Sequence, residues 1–154
     1  SLFDLRDEMA ISCWIKVEAF TRSYQPIITK GRSAWRLMRQ ADTNGLAVHY
    51  TGTPSLHNME ANGKRAVNDG RWHHVVATFD GQKLRLYVDG NWDASVLVSG
   101  GIATNDESVQ IGANSAGTQH DIWNGSIDDV HIYTRSLRLD EIRALYEDEK
   151  KARK

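Results

Sequence analysis

The chain has 154 residues, 25% of them charged and 40% apolar, with a formal net charge of −1. That size suits one domain with a real core, and the charge balance provides no long-range field for nucleic acid or an anionic membrane. No apolar run approaches the ~18 residues that span a bilayer, so membrane insertion is not expected.

In chain order, Met9 to Lys16 alternates cleanly. Met9, Ile11, Cys13 and Ile15 share one face, and Ser12, Trp14 and Lys16 the other. Cys13 is the single cysteine, so no internal disulfide can form, and its apolar setting predicts an inert buried thiol. Further strands are expected over 25–30, 34–39, 46–51, 72–79, 83–88, 92–98, 109–111 and 126–133. Asp80-Gly81 and Asp89-Gly90 lie between strand candidates, where Asp-Gly suits the positive φ of tight hairpins. The strands around them should form an antiparallel meander. One helix is expected over 140–150, with Ile142, Leu145 and Tyr146 on one side. Arg138 stands at its start, so capping must come from Ser136, Asp140 or water. Many short strands and one terminal helix predict two packed sheets.

Gly70-Arg71-Trp72-His73-His74-Val75, then Tyr87-Val88-Asp89-Gly90, then Asn124-Gly125-Ser126-Ile127-Asp128-Asp129-Val130 follow one another in a specific order. With Ala10-Ile11-Ser12-Cys13-Trp14 before them, this order resembles the laminin-G-like jelly-roll domains of the concanavalin A-like superfamily. The resemblance spans roughly residues 9–147. It implies an all-β, two-sheet antiparallel sandwich with a short C-terminal helix. It also implies one domain over 1–154, excised from a larger bacterial extracytoplasmic protein. Family members bind carbohydrate or protein, and calcium is frequent among them. Only residues 1–8 precede the first strand here, where members usually carry another strand.

The resemblance and the loop-rich segment 20–70 suggest a ligand set of Trp35, Tyr50, His57, Asn58, Trp92 and His120. Loops on a rigid sandwich concentrate binding residues, and aromatic faces stack on sugars. Trp14, Trp72 and Trp123 fall in motifs that the family uses for packing. His73 and His74 do too.

Asp128 shares its face with Val130 and Ile132 if the strand is regular. It would then point inward and need a partner. That partner is either backbone N–H groups with a Trp or Tyr, or a calcium ion held with help from Asp4 and Asp7. No expected strand carries the period-two carboxylates that glucanases of this fold use. The resemblance, with Trp35 and Tyr50 near variable loops, therefore implies a non-catalytic binding module for glycan. A protein-interaction module or a structural spacer is the alternative.

Overall fold

The computed structural model describes residues 2–53, 58–114 and 122–153. Ten strands form two five-stranded antiparallel sheets. They are β1 (Met9–Val17), β2 (Pro26–Lys30), β3 (Trp35–Arg39), β4 (Leu46–Thr51), β5 (Asn58–Asn62), β6 (Trp72–Phe79), β7 (Lys83–Val88), β8 (Asn91–Leu97), β9 (Val109–Ile111) and β10 (Gly125–Tyr133). One sheet runs β10-β1-β6-β7-β8 and the other β5-β4-β3-β2-β9. One α-helix occurs among the described residues, α1 (Leu139–Glu149), and it ends in a 3-10 turn at Lys150–Ala152.

The core lies where the inner faces meet. Met9, Ile11, Cys13, Ile15 and Val17 enter it from β1, opposite Trp35, Leu37, Leu46, Val48 and Tyr50. These are the alternate positions that strand geometry sends to one side. The expected meander is present as β6-β7-β8. Its turns have positive φ at Gly81, Asp89 and Gly90, and Asp80 Oδ1 accepts the N–H groups of Gln82 and Lys83 at 3.0 and 2.8 Å. Gly125 is required by a close approach, because a Cβ there would lie 2.1 Å from the Lys16 carbonyl oxygen.

The motif residues His73 and Asp89 lock this meander. Asp89 Oδ1 accepts the His74 N–H at 2.9 Å while Oδ2 meets His73 Nδ1 at 2.8 Å.

The outer face of the first sheet is covered by α1. Ala10, Val76 and Tyr87 pack against Leu137 and Ile142. Trp14 stacks on Tyr146 at 5.8 Å and donates from Nε1 to Glu149 at 2.6 Å. The helix cap differs from expectation. Glu141 accepts the Arg138 N–H at 2.9 Å, whereas Ser136 is drawn to Glu8 through both its N–H and its hydroxyl. The Glu141 carboxylate thus takes up the N–H of the cap residue itself, the N3 half of a capping box.

Residues ahead of β1 form no strand among those described. They are pinned instead. The Lys30 side chain is buried at one end of the sandwich, in a nest made only of oxygen. Its Nζ lies 2.6 Å from the Asn105 carbonyl, and 3.1 Å from Asn105 Oδ1, the Glu107 carbonyl and the Asp4 carboxylate.

Candidate functional site

With α1 across one sheet, the other sheet offers its outer face. Strand register sets a polar row on it. Gln110 pairs with Thr29, Thr29 with Arg36, Arg36 with His49, and His49 with Glu60. Directly opposed residues of neighbouring strands share a face. All five belong to the positions that alternate with the core-facing ones.

At the β2–β3 side of this row a cleft of about 330 Å³ opens, lined by Ser23, Tyr24, Arg32, Arg36 and Asn114. The loop leading to β2 is folded around the buried side chain of Gln25. Its Oε1 accepts the N–H groups of Thr21 and Arg22 at 2.8 and 3.2 Å. Arg39 reinforces the loop by donating to the Arg22 carbonyl at 2.6 Å. At the tip Tyr24 adopts a φ of 55°, unusual for a side chain of its bulk. That turn leaves Tyr24 50% exposed beside the cleft. Ser23 donates to Asp42 at 2.5 Å.

Arg36 is half-buried. Its Nε and Nη2 both lie 3.4 Å from His49 Nδ1. Burial, and then the neighbouring Arg36 charge, push the His49 pKa down to about 4. The ring is therefore neutral near pH 7, and Nδ1 can accept from the guanidinium. Burial also lowers the Arg36 pKa, and the charge of Arg32 adds to that effect.

The expected ligand residues are placed differently from one another. Trp35 is 1% exposed and packs in the core, where its Nε1 donates to the Phe3 carbonyl at 3.4 Å. Tyr50 is fully buried, 5.2 Å from the Phe79 ring, and burial raises its hydroxyl pKa to about 12. Neither presents a ring to a ligand, because both occupy inward positions of β3 and β4. Asn58 lies on β5 at the far end of the polar row. There it accepts from Thr51 at 3.3 Å and hydrogen-bonds His49. Trp92 is 59% exposed, but it sits on edge strand β8 of the other sheet. His57 and His120 lie outside the described residues.

Asp128 does not point inward. The β1–β10 register shifts between Ser12 and Trp14, and Asp129 has a φ of 46°. This bulge turns both aspartates outward. Ile127, Val130 and Ile132 still pack on the core. Both carboxylates pair with Arg153, Asp128 at 2.8 Å, and Asp4 pairs with Lys30. Calcium needs six to eight oxygens, and no cluster of three or more His, Cys, Asp or Glu able to hold a metal occurs among the described residues. The donor set at Asp128 does not fit calcium.

A second opening of about 550 Å³ lies on the helix side, lined by Trp72, Asp69, His73, Asp89, Lys150 and Arg153 among others. His73 is held between two carboxylates, with Asp69 Oδ1 3.0 Å from Nε2 and Asp89 Oδ2 2.8 Å from Nδ1. Its pKa is raised, chiefly by Asp89. With both nitrogens engaged, this ring cannot take a proton from a substrate. Its role is to tie strands together.

Tyr24 and Arg36 fall within the loop-rich segment 20–70 to which sequence reasoning assigned binding. That reasoning missed Ser23, Asn114 and the His49 contact. Arg36 and His49 each alternate with inward neighbours, Trp35 and Leu37, and Val48 and Tyr50. That period-two signal could have placed them together on the outer face.

A sequence model of the concanavalin A-like lectin/glucanases superfamily, the Laminin_G_3 family, matches residues 1–143. A search of curated protein sequences finds no match. Among solved structures, the binding domain of Paraclostridial Mosquitocidal Protein 1 superposes with a TM-score of 0.75 at 16% identity, covering 94% of this chain and 38% of that one. A candidate carbohydrate binding protein from Bacteroides ovatus gives 0.72 at 17% identity, covering 89% and 40%. The receptor binding domain of botulinum neurotoxin type G gives 0.70 at 15% identity, covering 93% and 38%. At these identities the likeness concerns the fold. This chain spans about two-fifths of each of those structures.

Proposed function

Since the chain belongs to the Laminin_G_3 family of the concanavalin A-like lectin/glucanases superfamily, we propose that it is a non-catalytic carbohydrate-binding module. The observation that carries this is the half-exposed Tyr24 ring beside Arg36, Ser23 and Asn114 in an open cleft. A ring face with a few convergent polar groups is what a sugar needs, since its C–H face stacks and its hydroxyls hydrogen-bond. The names of the Bacteroides ovatus and neurotoxin neighbours support a binding role. Work outside the cytoplasm, as part of a bacterial surface or secreted protein, belongs to the same reading. No helix among the described residues is long and apolar enough to cross a membrane.

A glycan array tests this directly. Binding that disappears in Tyr24→Ala, with the melting temperature kept, is the expected result. Silence across neutral and acidic glycans would sink the reading. A second reading, protein contact, is favoured by one observation. Edge strand β8 exposes Trp92 and Leu97 together, and edge strands accept partner strands. A protein-binding module would lose its partner in Trp92→Ala and not in Tyr24→Ala.

A further inference from the structure

We infer that the sugar bound in this cleft carries a carboxylate, and that Arg36 is the residue that reads it. The inference rests on the carbohydrate reading above and adds the ligand's charge.

Arg36 is a charged group partly removed from water. Its hydrogen bonds go to a neutral imidazole, His49, at 3.4 Å. Among the described residues no carboxylate lies within ion-pair distance of it. Two carboxylates stand nearest in the pattern of contacts. Asp42 is turned to Ser23 and Arg39. Glu60 lies two strands away, beyond His49. A half-buried cation whose hydrogen bonds go only to a neutral group is costly; the Glu60 charge offsets this only in part, and Arg32, a second cation lining the same cleft, adds to it. An oxyanion placed there would give Arg36 a charged partner at hydrogen-bond distance.

The guanidinium carries five N–H donors in a fixed plane. The two that reach His49 are Nε–H and one on Nη2, which leaves three outside that contact. A planar carboxylate matches such a fork with two parallel hydrogen bonds. Ser23 and Asn114 add neutral polar groups at the rim, and Tyr24 supplies the ring face. The described lining includes no Asp or Glu, and Asp42, beside Ser23, is paired with Arg39. The whole chain has a net charge of −1, so attraction to an acid here is local. Long polyanions find no broad cationic surface.

The experiment is titration calorimetry with a panel of uronic-acid oligosaccharides, each paired with its carboxyl-reduced neutral counterpart. Wild type, Arg36→Met, Arg36→Lys and Tyr24→Ala are compared, with melting curves to confirm folding. Wild type should prefer at least one acidic member over its neutral pair by about tenfold, the size of a charge-assisted contact. Arg36→Met should erase that preference, and Arg36→Lys should keep only part of it. If Arg36→Met does not fold, salt gives the answer in wild type. Acidic binding should weaken between about 50 mM and about 500 mM sodium chloride.

Equal affinity for both members of every pair overturns the inference, as does a preference that survives Arg36→Met or is indifferent to salt. Neutral binding abolished by Tyr24→Ala would then leave the carbohydrate reading standing alone. Binding to no member of the panel, acidic or neutral, overturns both.

Discussion

The guanidinium of Arg153 lies 4.5 Å from the centroid of the Trp14 ring, although the two residues are separated by almost the whole chain. The same group reaches Asp128 and Asp129 and stands 5.7 Å from Trp72. It clamps the end of α1 onto the first sheet. Trp14→Ala removes the platform for Tyr146, His74 and Arg153 together. We expect a loss of ~3–5 kcal/mol, typical of a large buried aromatic, measured by urea unfolding. Arg153→Ala should leave the sheets intact and speed amide exchange only in the last turn of the helix. Equal loss of protection in β1 would refute the clamp.

Stability should have a two-sided pH dependence set by three histidines. Burial holds the His74 and His49 pKa values down at about 4. Their contribution is complete above the ordinary value of 6.5 and is lost as pH falls toward 4. His73 behaves oppositely, because its pKa is raised by Asp89 and Asp69. Its contribution is complete below 6.5 and is lost as pH rises through the folded value. Urea midpoints across pH 4 to 8.5 should therefore show a maximum, with the alkaline side flattened in His73→Gln. An unchanged alkaline slope in that variant would remove His73 from the account.

Cys13 is buried between the sheets, and burial pushes its thiol pKa up to about 12. It should not react with a thiol reagent in the folded protein. Labelling is expected only in denaturant, with the midpoint of global unfolding. Fast labelling of the native state would mean that the sandwich opens locally at β1.

Much of the fold was legible in the sequence, because nine strands announce themselves by alternation or by an apolar run between turn residues. β5 did not. Asn58-Met59-Glu60-Ala61-Asn62 has no β-branched residue and buries only Ala61. It is a strand because β4 offers it a free edge, a tertiary cause that local preference cannot report. Asp128 failed for a different reason. Period two holds only along a regular strand, and the bulge at Asp129 resets it. Trp35 and Tyr50 were readable as core, since both alternate in step with Leu37 and Val48. Their aromatic character outweighed that signal. The cleft itself combines a loop before β2, a strand residue and a residue after β9. No spacing rule brings those three together.

Lys30→Met would leave a nest of four oxygen groups facing an apolar side chain. We expect a cost of ~3–5 kcal/mol, as when one partner of a buried ion pair is removed, seen as a lower urea midpoint. Wild-type melting should be unchanged by chelator or by millimolar calcium. A calcium-dependent rise in wild type would show that a metal belongs to this domain after all.

An all-oxygen nest of this kind can also be filled by a dissolved cation. Here the positive charge is covalently part of β2, so it can be neither stripped away nor outcompeted. The stitch between the leading segment and the stretch around Asn105 therefore closes during folding itself, in any medium. The domain carries its own counter-charge within the chain.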